Sequence, residues 1–219
     1  MKFKKYNMEF EKIIQTLIYI HAAFGGIALL AGGVALIVKK GKNVHKKSGL
    51  LFYYAMLTSA LMAFIISILP DHENPFLFSI GIFSTYFLIS GYRSLNFKNI
   101  HFNLKIDKII SLIILITGAT MILYPLIFQG KIYIVLLIFG FIGLVFGIKD
   151  LIAFKNKANL KKNWLKLHLG KMTGGYIAAV SAFFVVNNIL PGVWNWFTPG
   201  VIGSVFITIW MSKVKSFSK

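Results

Sequence analysis

The sequence predicts an all-α fold, an integral membrane bundle of about seven transmembrane helices in a single domain, 1–219. Three observations predict this class. Hydrophobic residues make up 57% of the 219 residues, and the mean hydropathy is +0.75. Charged residues make up 14%, well below the share of about a quarter that is usual in soluble domains. The apolar residues form long uninterrupted runs without the alternation of a β-barrel, and a helix satisfies its own backbone in lipid.

Each apolar run of membrane length predicts one span. A helix rises about 1.5 Å per residue, so about 20 residues cross a hydrocarbon core of about 30 Å. Short turns at Pro70 and Pro191 and a break at Gly130 separate neighbouring runs, and Pro199 suits the first turn of a helix. The predicted spans are approximately 13–38, 47–69, 75–95, 107–128, 131–153, 166–189 and 198–213.

The basic residues set the predicted orientation. The net charge is +18, with 24 Lys and Arg against 6 Asp and Glu. These cations cluster in short turns between apolar runs, which is the positive-inside pattern, so the predicted partner is the lipid bilayer and not nucleic acid. Most of them follow spans one, three and five or lie in the C-terminal tail. This predicts a membrane protein with its N-terminus out and its C-terminus in.

The composition also excludes some chemistry. Cysteine is absent, which excludes disulfides, thiolate catalysis and cysteine-ligated zinc or iron–sulfur centres. The sequence lacks a glycine-rich phosphate loop and a nucleophile elbow. No class of enzyme is therefore predicted.

A weak internal repeat predicts one leading helix followed by three helical hairpins. The stretch HKKSGLLFYYA from His45 aligns with HLGKMTGGYIA from His168, and Asp107 occupies the matching place between them. The repeat would put these three residues at equivalent cytoplasmic entrances of spans two, four and six.

The histidines are the candidate ligands. His45 and His168 are predicted as axial ligands of haem b near the inner face, because neutral imidazole binds iron and nearby small residues leave room for a flat macrocycle. The alternative is that both lie at headgroup depth as helix-entry residues. His21 lies deeper, on one face with Gly25 and Ala28. It is either a separate outer ligand or proton-relay site, or a neutral histidine bonded across a helix interface.

Charged residues near the span ends form a second set of candidates. Asp107 would complete a metal site of two histidines and one carboxylate, a type that suits iron. The alternative is that Asp107 caps the fourth helix. Arg93 and Asp150 are predicted to pair and to orient their helices.

The stretch HAAFGGIALLAGG from His21, the turn with HKKSG from His45, and Gly91-Tyr-Arg93 resemble a known pattern. They are similar to an uncharacterised family of bacterial multi-pass membrane proteins with the motifs HxxxGxxALLxG and HRxxGxxY. The resemblance covers roughly residues 17–95 and 160–185. It departs at Lys46, where the family has arginine, and near His168, where an HREWM-like signature is missing. The resemblance implies a helical bundle in the bacterial inner membrane and no particular activity.

Three functions remain open from the sequence. The first is a redox protein that binds haem or a metal through its histidines, or an assembly factor for one. The second is a transporter or channel for a small or anionic solute, with His21, Arg93 and Asp150 along the path. The third is a structural subunit without a site, bound to other membrane proteins or to further copies of itself.

Overall fold

The computed structural model describes residues 2–99 and 101–214, with side chains from Glu9 onward. Within these ranges the chain is helical without strands, so the predicted all-α class is confirmed. A 3-10 helix, Ser94–Lys98, follows α3. The α-helices are α1 Lys2–Ile37, α2 Asn43–Ile66, α3 Pro75–Arg93, α4 Lys105–Gln129, α5 Ile134–Ala153, α6 Lys157–Val186 and α7 Trp194–Lys213.

Helices α1 to α6 are each long and apolar enough to cross a membrane, with mean hydropathies between 1.3 and 2.3 over 18 residues. The chain is therefore a multi-pass membrane protein by the length and composition of its helices. The last predicted span corresponds to α7, which does not reach this level of hydropathy in the described residues. Its first turns contain Asn195 and Pro199 beside two tryptophans. These residues lower the mean hydropathy of the helix, although the run that follows them is apolar.

The chain forms two compact units, Met1–Gly81 and Ile82–Lys219. Unit 1 contains α1, α2 and the first turns of α3. Its closest helix pair is α1 with α2. Ala28 of α1 is fully buried, and a β-carbon on Gly25 would lie 3.4 Å from Ser59 Oγ of α2. The small face predicted around His21 therefore lies in the α1–α2 interface.

Unit 2 contains the rest of α3 and helices α4 to α7. Helices α4 and α5 pack closely, as do α6 and α7, which agrees with two of the three predicted hairpins. Glycines permit the first of these contacts. A β-carbon on Gly118 would lie 2.6 Å from the Gly140 carbonyl oxygen, and one on Gly147 would lie 3.0 Å from the Ser111 carbonyl oxygen. This close approach brings the end of α5 against the first turns of α4.

One end of unit 2 is closed by an apolar cluster of Phe97, Leu104, Phe154 and Leu160. Four successive elements supply it, namely the 3-10 helix, the start of α4, the end of α5 and the start of α6. Exposed lysines surround this end, and we call it the lysine-rich end. They are Lys98, Lys105, Lys108, Lys149, Lys155, Lys157, Lys161 and Lys162.

Helix α6 begins at Lys157 rather than near residue 166 as predicted. The Asn156 side chain caps it by accepting a hydrogen bond from the Asn159 backbone N–H at 2.9 Å. The first turns are too polar to register as an apolar run, yet they are helical because of this cap. His168 consequently lies about three turns inside α6, and not at a helix entrance.

Candidate functional site

Side chains from three helices of unit 2 donate hydrogen bonds to one carboxylate oxygen, Oδ2 of Asp150 in α5. Tyr86 Oη of α3 donates to this oxygen at 2.7 Å, and Ser111 Oγ of α4 donates at 3.0 Å. Lys171 Nζ of α6 donates to the same oxygen at 2.5 Å. Asp150 is 5% exposed and Lys171 is 7% exposed. We call Tyr86, Ser111, Asp150 and Lys171 the buried centre.

Close packing of α3 against α6 positions Lys171. A β-carbon on Gly91 would lie 3.0 Å from the Met172 backbone nitrogen, so the two helices approach backbone to backbone beside the buried centre. The Lys171 ammonium lies 4.8 Å from the centroid of the Tyr86 ring. At this distance the ring face adds a cation–π attraction to the ion pair. The lysine is therefore held by α3 and α5 together.

A second ion pair lies near the first, because its Asp107 is one helical turn before Ser111 in α4. Arg93 Nε donates to Asp107 Oδ1 at 2.9 Å, and Arg93 Nη2 donates to Asp107 Oδ2 at 2.7 Å. Nη2 also donates to the Asn103 carbonyl oxygen at 3.2 Å. This two-pronged geometry is the strong form of a carboxylate–guanidinium contact. The predicted pairing of Arg93 with Asp150 is wrong, because Arg93 pairs with Asp107 and Asp150 pairs with Lys171.

Asp107 does not cap α4, which corrects the alternative drawn from the sequence. The residue at the N-cap position is Leu104. Asp107 lies in the first turn, where a carboxylate interacts favourably with the helix dipole. It is 2% exposed, and both of its oxygens accept hydrogen bonds from Arg93.

A cavity of about 10 Å³ lies beside the two ion pairs. Its polar wall includes Ser90, Ser94, Asp107, Asp150 and Lys171, and its apolar wall is formed largely by the apolar cluster. The volume is about that required by one ordered water. Asp150 accepts all three of its side-chain hydrogen bonds at Oδ2, and within the described ranges Oδ1 accepts none. Oδ1 is therefore the oxygen with capacity for a further hydrogen bond.

The charges at this site balance. Arg93 and Lys171 supply two cations, and Asp107 and Asp150 supply two anions. These two aspartates are the only acidic residues of unit 2 in the sequence. Both are buried and paired, so the lysine-rich end has no acidic residue of its own unit on its surface.

His21 makes a neutral connection across unit 1. Its Nδ1 lies 2.9 Å from the Ser59 carbonyl oxygen, and Ser59 Oγ donates back to the His21 carbonyl oxygen at 3.0 Å. A carbonyl oxygen only accepts, so Nδ1 carries the proton. This geometry agrees with the alternative of a histidine bonded across a helix interface.

His45 and His168 have the same type of contact. His45 Nδ1 donates to the Ala35 carbonyl oxygen at 3.0 Å in unit 1, and His168 Nδ1 donates to the Gly91 carbonyl oxygen at 2.9 Å in unit 2. Among the described residues, no three His, Asp or Glu side chains form a group able to hold a metal ion. The haem and metal assignments of His45, His168, His21 and Asp107 stay predictions.

Three members of the buried centre were not found from the sequence. Lys171 lies inside the apolar part of α6. A lysine within a span is the signal that points to it. Tyr86 and Ser111 carry no such signal, since tyrosine and serine are common in membrane helices.

No family model, curated protein or solved structure matches this chain. The class of protein therefore rests on the fold and the site. It is a multi-pass α-helical membrane protein with a buried, ion-paired centre in unit 2. Membership of the HxxxGxxALLxG family stays a prediction.

Proposed function

We propose that this protein is a proton-coupled transporter of a small solute, and that Asp150 is the group that binds and releases the proton. One observation carries this proposal. Asp150 and Lys171 are each more than nine-tenths buried, and they lie in helices long enough to span a membrane. Ionisable side chains in such helices are uncommon, and they mark ion pathways, substrate sites and proton relays. The proposal places the lysine-rich end in the cytoplasm of a bacterial cell.

The buried centre has the chemistry of a two-state element. When Asp150 gains a proton, its charge disappears and the Lys171 ammonium loses its counter-ion. The ionised and the protonated forms therefore favour different partners for Lys171. A transporter needs two such states whose balance is shifted by the bound proton.

An ion pair that only ties helices together would also be buried, so the experiment must separate the two roles. The double variant Asp150→Asn/Lys171→Met removes both charges and leaves no unpaired ion in lipid. If the pair is only structural, this variant folds and keeps its activity. We expect it to fold, as judged by a monodisperse peak in detergent, and to be inactive in transport.

Transport is tested with purified protein in liposomes that contain a pH-sensitive dye, challenged with a panel of small anions, amino acids and sugars. Wild-type protein should change the internal pH with at least one solute, and Asp150→Asn should abolish that change. Asp71→Asn is the matched control, because Asp71 is exposed in the turn between α2 and α3. The proposal fails if wild-type vesicles respond to every solute no more than protein-free vesicles.

A second candidate function keeps the prediction of haem binding by His45 and His168. It is favoured by the hydrogen bond from Nδ1 to a backbone carbonyl, which is typical of ligating histidines because it fixes Nε2 as the nitrogen with the lone pair. Air-oxidised protein should then show a Soret band that His45→Ala or His168→Ala removes. His101→Ala is the control, since His101 is exposed. A colourless, metal-free preparation ends this alternative.

A further inference from the structure

We infer that the solute is a small anion, and that it is bound and carried together with one proton. This inference rests on the proposed function, because it names the class of solute for the same buried centre. It is drawn from the balance of charges around Asp150, from the chemistry of Lys171, and from the surface charge of the lysine-rich end.

The buried centre and its neighbouring ion pair have no net charge when Asp150 is ionised. Two cations, Arg93 and Lys171, face two anions, Asp107 and Asp150. Tyr86 of α3 and Ser111 of α4, which also contact Asp150, are neutral donors. On its own helix, Lys149 beside Asp150 is exposed at the lysine-rich end. A proton on Asp150 therefore gives this buried group a net charge of plus one.

Among solutes, only an anion cancels that charge. An uncompensated charge in the interior is strongly unfavourable, so the protonated centre disfavours a cation and gains little from a neutral solute. A small anion beside Lys171 restores the balance. Because the coupling is reciprocal, the proton raises the affinity for the anion and the anion raises the affinity for the proton.

The binding step balances in atoms and charge. A hydronium ion gives its proton to the carboxyl of Asp150, where Oδ1 has capacity for it, so one O–H bond breaks as another forms and neutral water is left. The Lys171 ammonium then turns one N–H donor from Asp150 to the anion, and no covalent bond to the solute forms. Release reverses both changes. One positive and one negative charge move together, so the transport is electroneutral.

The surface of unit 2 favours the approach of anions. Eight exposed lysines surround the lysine-rich end, and both acidic residues of the unit are buried. A field of one sign raises the local concentration of counter-ions. The cavity of about 10 Å³ admits a water and no larger solute. An anion therefore enters only when the apolar cluster of Phe97, Leu104, Phe154 and Leu160 moves aside.

Binding is tested by calorimetry on the full chain in detergent, with nitrate, formate and chloride as the probes. Titrations in buffers of different ionisation enthalpy give the number of protons taken up per anion. For at least one of these anions, we expect a value near one, with an affinity that rises as the pH falls. Binding of all three anions without proton uptake, or binding of none, overturns the inference.

The variants give opposite signatures. Asp150→Asn leaves the Lys171 ammonium without a carboxylate, so it should bind the anion at every pH without taking up a proton. Lys171→Met should weaken binding at least about tenfold. The double variant Asp150→Asn/Lys171→Met should show the same loss of anion binding, and it leaves no unpaired charge in the protein. Lys162→Gln is the control for an exposed lysine and should change the affinity less than about twofold.

The two proposals fail separately. Transport of a sugar or a cation that depends on Asp150 would overturn the anion inference and leave proton-coupled transport in place. Proton-linked binding of an anion without transport in liposomes would overturn the proposed function and leave the assignment of the ligand in place.

Discussion

The two units of this chain place their acidic residues in opposite ways. All four acids of unit 1 are exposed, namely Glu9, Glu11, Asp71 and Glu73, whereas both acids of unit 2 are buried in ion pairs. Polar contacts between α1 and α2 are neutral, such as those of His21 with Ser59. Neutral contacts tie helices at little cost, while burying a charge costs much and needs a partner. We therefore expect the polar contacts of unit 1 to be structural and those of unit 2 to include the proposed proton site.

The largest expected effect comes from removing one charge of the buried centre. Lys171→Met leaves the Asp150 carboxylate without its cation, which should lower the free energy of unfolding by about 3–5 kcal/mol. The measurement is denaturation of the purified protein in detergent. Lys166→Met on the same helix, half-buried rather than buried, is the control and should change stability far less. If Lys171→Met and Lys166→Met lowered the free energy of unfolding equally, the contrast between the two units would not hold.

Arg93→Gln should have the next largest effect. Asp107 keeps its buried position and loses both hydrogen bonds from the guanidinium. The arginine side chain is 21% exposed, so solvent screens part of the pair. We expect a loss of about 2–3 kcal/mol in the same assay. Arg93→Lys should recover only part of it, because an ammonium cannot reproduce the two-pronged contact. Full recovery by lysine would show that charge alone matters there.

A glycine substitution tests the packing that positions Asp150. In Gly118→Ala the new β-carbon would meet the Gly140 carbonyl oxygen at 2.6 Å, so α4 and α5 must separate. We expect a loss of about 1–3 kcal/mol and weaker proton-linked activity. Gly26→Ala is the matched control in unit 1, since nothing lies within 4 Å of its β-carbon. That change should be neutral or slightly stabilising. An equal loss at both glycines would contradict this account of the α4–α5 contact.

The smallest effect is expected from the neutral contact in unit 1. Ser59→Ala removes the hydroxyl that donates to the His21 carbonyl oxygen and keeps the histidine contact with the Ser59 backbone. The loss should be about 1 kcal/mol or less, and transport in liposomes should be unchanged. If this variant abolished transport with the fold intact, His21 and Ser59 would belong to the functional machinery and the division between the units would fail.

The spans could be predicted from the sequence because hydropathy is a local property. The boundaries of α2 to α5 agree with the predicted spans within a few residues. The start of α6 could not be found from hydropathy, since its first turns are polar and depend on the Asn156 cap. In α7, Asn195 and Pro199 lower the mean hydropathy of the helix, although the run after them is apolar.

The candidate site was only partly predictable. Which charged side chains pair depends on how the helices are rotated about their axes and on how closely they pack. Arg93, Asp107 and Asp150 stand out as charged residues near span ends. Their pairing follows from glycine contacts between α4 and α5 and between α3 and α6, which set distances that no spacing along the chain reveals. Lys171 was detectable in principle, as a cation within an apolar helix.

The convergence of three donors on one oxygen of Asp150 also limits how this chain can vary. If that carboxylate is lost, the hydroxyls of Tyr86 and Ser111 and the ammonium of Lys171 lose their shared acceptor, on three separate helices. Lengthening the side chain to glutamate shifts the shared acceptor away from all three. A change at Asp150 should therefore cost less stability when Lys171 changes with it, as in Asp150→Asn/Lys171→Met, than when it is made alone.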